Sequence, residues 1–322
     1  MYAIDIGNAF TSKFDGAQVI SVRSVIADVP SRLNLRQGSN VIEYGGALYH
    51  VGEPAFKYDS YRMMATCNKQ VGSSLTDSLI LLLNVISSAE LGDTTEIVLQ
   101  VPEMLTNYQH DFVKLVHGFH TWVRDGVEYK TKIVVKQVYQ EGYGSWYMAQ
   151  RSNALDYDGY SIVMDLGGGT VITTLFDNSS GEAIKVYTYQ HKGVVYLANL
   201  LIADYELRIA NGGNVLTVES IFKGFENETY RVGVNGASFK SYIPRYTRDW
   251  WGTVWTTTVN AFQKQLQDRT ITKVIVTGGG AEIVRPFVDA ARSKPAFANL
   301  FMVSFDPLHD NIKGIFHAYN ES

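Results

Sequence analysis

Val163-Met164-Asp165-Leu166-Gly167-Gly168-Gly169-Thr170 is the stretch on which the reading of this chain turns. The residues Ile162-Val163-Met164 are apolar and partly β-branched, as the interior of a central strand should be. This strand runs an aspartate straight into three glycines and a threonine, and glycines let backbone N–H groups approach an anion closely. Asp165 with Gly167, Gly168, Gly169 and Thr170 therefore reads as a phosphate grip with a carboxylate beside it. Standing alone, such a run is equally well a tight turn.

The N-terminus repeats the same order. Tyr2-Ala3-Ile4-Asp5-Ile6-Gly7-Asn8-Ala9-Phe10-Thr11-Ser12-Lys13-Phe14 gives an apolar strand, an Asp, one apolar residue, a Gly, small residues and a second strand. Two copies of this pattern imply a duplicated fold that closes on one ligand from two sides. The ligand expected there is a polyphosphate carried with a divalent metal. Asp5 and Asp165 suit Mg2+, which keeps several waters and takes one or two carboxylates plus phosphate oxygens. A third element, Thr277-Gly278-Gly279-Gly280-Ala281-Glu282, follows the β-branched strand Lys273-Val274-Ile275-Val276 and opens a stretch with helical spacing. Glycines at the carboxyl end of a strand are where α/β proteins bind nucleotides. In a fourth stretch, the strand from Ile133 delivers Gln140 and Glu141 into the turn Gly142-Tyr143-Gly144 ahead of a helix.

In this order the four stretches resemble the five-motif plan of the actin, Hsp70 and sugar-kinase ATPase superfamily, with Asn311-Ile312-Lys313-Gly314-Ile315-Phe316-His317-Ala318 as the fifth motif. The chain length, its end soon after that motif and the small hairpin Val41 to Gly52 look most similar to ParM-type bacterial actins, the ATPases that segregate plasmids. The resemblance implies an α/β actin-like ATPase fold, in which two duplicated RNase H-like lobes, each with a small subdomain, flank a nucleotide cleft. Lobe I is expected at 1–158 and 306–322, with its small subdomain at about 29–61. Lobe II is expected at 159–305, with its small subdomain at about 210–246.

The same resemblance implies ATP or GTP with Mg2+ as cofactors and assigns roles. Asp5 and Asp165 hold the metal and its water shell, with Asp165 also near the attacking water. Gly7, Asn8, Ala9 and Thr11, with Gly167, Gly168, Gly169 and Thr170, cradle the phosphates. Glu141 stands where the family polarises the water, with Gln140 as a second candidate. Gly278, Gly279, Gly280 and Glu282 line the adenosine side, and Gly193 either approaches the ribose and phosphates or only bounds a helix. The family usually places a lysine directly after the Thr or Cys of the first loop. Here Ser12 intervenes, and Lys13 is expected to reach the phosphates on its flexible stem. The implied function is a filament that grows head to tail on nucleotide binding and hydrolyses ATP to move plasmid DNA. Its partners are further copies of itself and a DNA-binding adaptor. The alternative within the superfamily is a small-molecule phosphotransferase of sugar-kinase type.

Composition is compatible with this. The 322 residues, 46% hydrophobic and 19% charged, suit one globular unit of two lobes. A formal net charge of -4 gives no chain-wide attraction to nucleic acid, so any DNA contact is expected to be indirect. The single Cys67 excludes an internal disulfide framework and a cysteine-based zinc site, which points to a reducing cytoplasm. Leu79 to Ile86 is the most apolar run and falls well short of the roughly 20 residues of a membrane span.

Periodicity supplies further expectations. A helix capped by Ser73 or Ser74 runs to about Ala89, and Glu96 to Pro102 is a core strand. A helix from Asn107 to about Val123 brings together His110, His117 and His120, without a cysteine or acid to complete a metal site. Gly144 to Asn153 is a connecting helix, and another runs from Lys192-Gly193 to about Ile209. Asp249 caps a helix on which Trp251 and Trp255 lie one turn apart, a spacing that suits core or a subunit contact.

Overall fold

The computed structural model describes residues 1–29, 40–63, 73–88, 91–102, 107–233, 235–268 and 270–321. Along the chain, β1 (Tyr2–Ile6), β2 (Phe10–Phe14) and β3 (Val19–Arg23) form an antiparallel meander. Asp15 fixes its second turn by accepting the amides of Ala17 and Gln18, each at 2.9 Å. The short strands β4 (Val25–Asp28), β5 (Val41–Tyr44), β6 (Ala47–Val51) and β7 (Arg62–Met63) follow. Gly45 and Gly46, at φ 59° and 80°, make the two-residue turn between β5 and β6. Then come α1 (Ser73–Ile86), β8 (Thr94–Val101), α2 (Asn107–Val116), β9 (Gly118–Arg124), β10 (Val127–Gln140) and α3 (Tyr143–Arg151).

The second half opens with β11 (Tyr160–Leu166), β12 (Thr170–Asp177) and β13 (Ala183–Gln190), another antiparallel meander. Helices α4 (Val194–Ala203), α5 (Tyr205–Ala210) and α6 (Val218–Glu226) precede a two-residue hairpin, β14 (Arg231–Val232) with β15 (Ala237–Ser238). The chain continues through α7 (Ile243–Ala261), α8 (Gln263–Gln267), β16 (Ile271–Thr277), α9 (Ala281–Arg292), β17 (Phe301–Val303) and α10 (Asp310–Glu321).

The duplication read from the two Asp-x-Gly stretches is a duplication of topology. One sheet runs β3-β2-β1-β8-β10 and continues through β9, β5, β6, β4 and β7; the other runs β13-β12-β11-β16-β17. In both, the first two pairings are antiparallel and the next two parallel. Each sheet is covered on both faces, which is why its central strands are apolar almost throughout. Ile4, Ile97 and Leu99 face α1, whereas Ala3, Val98 and Phe14 face α10. Ile162, Met164 and Leu166 pack toward α4, α7 and α9, whereas Val163 packs with Trp146 of α3. Period-two alternation then puts Asp5 on the Ala3 face and Asp165 on the Val163 face. These are the faces that α10 and α3 cover. The two helices cross so closely that a Cβ at Gly144 would collide with the backbone of Asn311, and one at Gly314 with that of Gly144.

Some local expectations are corrected. The helix expected to reach Val123 stops at Val116, because Phe119-His120-Thr121-Trp122-Val123 alternates and pairs with β10 across the Asp125-Gly126 turn. His117 and His120 therefore lie off the helix that carries His110. His120 is buried, with its ring between Tyr44 Oη at 3.2 Å and the Val116 carbonyl at 2.9 Å. Among the described residues, no three His, Cys, Asp or Glu side chains group as a metal site. The helix from Lys192-Gly193 breaks at Asp204, which caps α5 by accepting the Leu207 amide at 2.7 Å. Residues 210–246 contain α6, closed by a Thr217–Ser220 capping box. Asp249 lies within α7, which starts at Ile243 with Pro244 in its first turn. Trp251 and Trp255 stack at 6.1 Å and lie half-buried against the second core. The side chains of Ser73 and Ser74, residue Cys67 and the 30–39 part of the first small subdomain lie outside the described residues. No helix among those described is long and apolar enough to cross a membrane.

Two alanine substitutions test the glycine crossing. Gly314→Ala is expected to destabilise by about 1–3 kcal/mol through overpacking against backbone. Gly252→Ala, on an α7 position where a Cβ meets nothing within 4 Å, is expected to stabilise by about 0.5–1 kcal/mol. Urea unfolding of the two variants checks the opposite signs.

Candidate functional site

Both aspartates sit at the carboxyl ends of central strands, β1 and β11, each followed by a loop that returns as an antiparallel strand. The two loops meet. Asn8 Nδ2 donates to Thr170 Oγ1 at 3.2 Å, and a Cβ on Gly168 would press into Ala9. Under this contact lies a cavity of about 380 Å³. Asp5, Gly7, Asn8 and Ala9 line it from the first loop, and Asp165, Gly167, Gly168 and Thr170 from the second. Glu141, at the end of β10, and Gly278 and Gly279, at the end of β16, complete the part anticipated from sequence. Gly278 has φ +82°, and a Cβ there would strike Asp165 Oδ1, so the position requires glycine on two counts.

Other anticipated residues lie behind this surface. Lys13 is the clearest correction. Across β1 and β2, Ser12 pairs with Asp5 and Lys13 with Ile4, so the pleat turns Ser12 to the cavity and Lys13 to the α1 face. There the Lys13 ammonium lies 4.7 Å from the Tyr2 ring centroid, and the residue is buried. Thr11 shares a 3.0 Å hydrogen bond with Ser24, whose hydroxyl donates to Gly7 O at 2.6 Å, so Thr11 braces the first loop from beneath. Gln140 turns away from the cavity and donates to the Pro102 carbonyl at 2.5 Å, leaving Glu141 as the lining residue of that pair.

Gly193 bounds α4 and lets it approach the second loop. The amides of Val194 and Val195 donate to Gly167 O and Gly168 O at 3.0 and 2.8 Å, and a Cβ at Gly193 would strike Gly167 O. The first amides of α4 are thus spent on pinning the loop, and Val194 lines the cavity in place of Gly193. Gly169 is the third loop carbonyl in that set, accepting the Gly193 amide at 3.4 Å. Gly280 donates its amide to Leu166 O at 2.8 Å and packs under Trp250, behind the wall. Glu282 points to solvent and pairs with Arg285 Nε at 2.6 Å.

The cavity also takes residues that no motif flagged. Phe222, Phe225 and Glu226 come from α6, Ile283 from α9, and Pro307, Leu308 and His309 from the turn before α10. Phe10, Ser12 and Ser21 close the side of the β1–β3 meander, and Asn311 of α10 reaches the floor. Ser12 was readable from strand parity with Asp5. The α6 residues carried no local signal, since α6 reaches the cavity only through tertiary packing.

Charge in the cavity is one-sided. Asp5, Glu141, Asp165 and Glu226 contribute carboxylates, and the described lining contains no lysine or arginine. Burial, and then the neighbouring Asp5 charge, push Asp165 up to about 7, opposed by a hydrogen bond from Asn311. Burial likewise raises Glu226, against the pull of Arg23. Two carboxylates lining one cavity, with hydroxyl oxygens nearby and no sulfur or paired imidazoles in the described lining, fit a hard divalent cation that keeps waters and shares ligand oxygens.

Comparison with known proteins agrees with this architecture. Residues 3–144 match the family described as the actin-like proteins N-terminal domain. A 15-stranded ParM filament structure from Clostridium botulinum superposes with a TM-score of 0.75 at 15% identity, covering 100% of this chain and 99% of that one. An archaeal actin homolog, also solved in complex with ADP, gives 0.75 at 14% identity, with 100% of each chain covered. The actin-like protein Alp7A gives 0.72 at 13% identity, covering 99% and 98%. No curated protein matches the chain. The chain has the actin-like fold, and its resemblance to ParM-type actin-like proteins holds along its whole length.

The electrostatics predict a pH dependence with a definite sign. Unfolded, Asp165 releases its proton near the ordinary 3.8, whereas in the folded metal-free protein it holds it to about 7. The folded state binds more protons in this window, so the contribution is fully present below about pH 4 and is lost as pH rises toward about 7. Asp165→Asn, which cannot ionise, should flatten that decline. Urea midpoints of the wild type and variant across the window in EDTA check this; parallel profiles would assign the burial cost elsewhere.

Proposed function

We propose that this chain is a nucleotide-dependent, filament-forming actin homologue that hydrolyses ATP in the cleft between its lobes. The observation that carries the reading is the meeting of the two Asp-x-Gly loops over a single cavity furnished with carboxylates and closely approached backbone. Lobe I then comprises 1–158 and 306–322 and lobe II 159–305, with small subdomains at about 29–61 and 210–246. The ligand is ATP or GTP with Mg2+. Asp5 and Asp165 hold the metal, and the loop amides at Gly7, Asn8, Ala9, Gly167 and Gly168 cradle the phosphates, with the Thr170 hydroxyl beside them. When bound, Mg2+ would neutralise charge on the phosphates and organise their geometry.

Glu141 is the residue proposed to orient the attacking water. Its backbone is fixed on both sides, the amide donating to Val101 O at 2.8 Å and the carbonyl accepting from Thr174 Oγ1 at 3.2 Å. Its side chain lines the cavity from lobe I while Asp165 enters from lobe II. A carboxylate held this way can accept a proton or align a water without moving its main chain. Gly278 and Gly279, with the aromatic α6 residues Phe222 and Phe225, form the apolar end suited to a nucleoside.

The biological role follows the same line. The neighbour from Clostridium botulinum is a ParM filament, and a head-to-tail contact that does not close generates a filament by geometry alone. We assign this chain to cytoplasmic plasmid segregation, with a DNA-binding adaptor supplying the DNA contact, since a net charge of -4 offers the phosphate backbone no general attraction.

Glu141→Ala should leave nucleotide affinity near that of the wild type, lower turnover on the order of a hundredfold and prolong polymer lifetime. Light scattering and electron microscopy with Mg-ATP, alongside phosphate release, read all three. Wild-type turnover in the variant would move the water-orienting role to another residue, and a wild type that stays monomeric with every nucleotide would sink the filament reading.

A further inference from the structure

The polar chain behind Asp165 is a feature that neither the fold nor the proposed reaction assigns. Asn311, in the first turn of α10 and buried, donates through Nδ2 to Asp165 Oδ2. Its Oδ1 accepts twice from Ser145 of α3, from the amide at 3.1 Å and from Oγ at 2.8 Å. The Ser145 hydroxyl also meets Thr277 Oγ1 at 2.8 Å, and Thr277 lies at the end of β16, next to Gly278. Ser145, Thr277 and Asn311 are all buried.

The orientation of the Asn311 amide is fixed by chemistry. A backbone N–H can only donate, so the oxygen of Asn311 must face Ser145, and the NH2 is then left to face Asp165. An NH2 group can only donate in turn, so it holds Asp165 Oδ2 as an acceptor. The two elements that supply Ser145 and Asn311 are the helices that cross at Gly144 and Gly314, one residue before Ser145 and three after Asn311. Asn311 thus links the α3–α10 crossing directly to the Asp165 carboxylate.

We propose that Asn311 is the positioning residue for Asp165, setting the carboxylate for the metal-bound nucleotide and tying its placement to the crossing of α3 and α10. This rests on the reading of the cavity as a Mg–nucleotide site. Groups that orient a metal-binding carboxylate from behind typically alter metal affinity by 10–100-fold when removed. Nucleotide bound without metal makes no demand on Asp165. The contribution of Asn311 is therefore confined to the metal-dependent part of binding.

The test uses the full chain and a fluorescent ADP analogue, titrated with Mg2+ and in EDTA. Asn311→Leu, of similar volume but with no donor or acceptor, should weaken Mg-dependent ADP affinity on the order of tenfold and affinity in EDTA by much less. In an Asp165→Asn background the same substitution should have no further effect on the Mg2+ dependence. Ser145→Ala keeps the backbone donor to Asn311 and should give a smaller loss in the same direction, which preserves the test if Asn311→Leu folds poorly. Equal losses with and without metal, or an undiminished effect in the Asp165→Asn background, would reduce Asn311 to a structural residue and overturn the proposal. A wild type that binds no Mg–nucleotide would overturn the cavity reading itself, and this proposal with it.

Discussion

The organising constraint of this molecule is the enforced proximity of two carboxylates that water would keep apart. Asp5 and Asp165 belong to different sheets, and bringing them to one cavity, with Asp165 buried, raises the free energy of the doubly ionised state. That arrangement persists because the surrounding groups are fixed independently of it. The Asp165 carboxylate is held from behind by Asn311, Gly278 leaves room for its oxygen, and the loop that follows is pinned by the α4 amides. The doubly ionised pair is therefore electrostatically unfavourable, and positive charge placed between the two carboxylates would offset it. The same geometry that disfavours the empty ionised state creates affinity for positive charge.

The two sheets, with α10 packed on one and α3 on the other, are joined by two kinds of contact. At one end, α3 and α10 touch backbone to backbone at Gly144 and Gly314, a close-packed contact reinforced by the buried Ser145–Asn311 hydrogen bonds. At the other, Arg23 of β3 lies buried between Glu53 at 2.7 Å and Glu226 of α6, with Phe10 against its face at 5.3 Å. Lys223 of α6 reaches back to Glu53 at 3.3 Å. Glu53 is half exposed, so its pairs are screened and individually weak, whereas the buried guanidinium is costly to leave without its carboxylates. Opening at this rim breaks ion pairs and rehydrates charge; opening at the crossing would unpack a core.

Much of this was legible in the sequence, and the boundary of legibility has a physical cause. The strand-Asp-x-Gly pattern at Asp5 and Asp165 carried the duplication, because apolar strands and glycine turns are written locally. The glycines Gly278 and Gly279 and the acid Glu141 were placed by the same local grammar. Residues whose role depends on which way a side chain faces were harder. Lys13 and Ser12 are neighbours, and only the pairing of β1 with β2 decides that Ser12 shares a face with Asp5. Gly193 lies beside the cavity wall yet serves the helix, since its missing Cβ is needed by Gly167 O. The helix drawn through His117 and His120 failed because alternation over Gly118–Arg124 outweighs helical spacing once β10 offers a pairing partner. Phe222, Phe225 and Glu226 could not be anticipated, because α6 meets the cavity only after the second lobe has folded.

The exchange of lysine for serine at the cavity wall bears on how charge is balanced there. A lysine carries its own counter-charge to a phosphate, whereas Ser12 offers a hydroxyl already engaged with Ser21 at 2.8 Å. With several carboxylates in the described lining and no lysine or arginine, little in that wall offsets a polyphosphate's own negative charge. Under the proposed Mg–nucleotide reading, backbone amides act at hydrogen-bond range and contribute partial charges only, so the metal would carry the larger part of the balance. Binding of the metal and of the phosphates would then be interdependent, and the orientation of Asp165 would govern more than one coordination position.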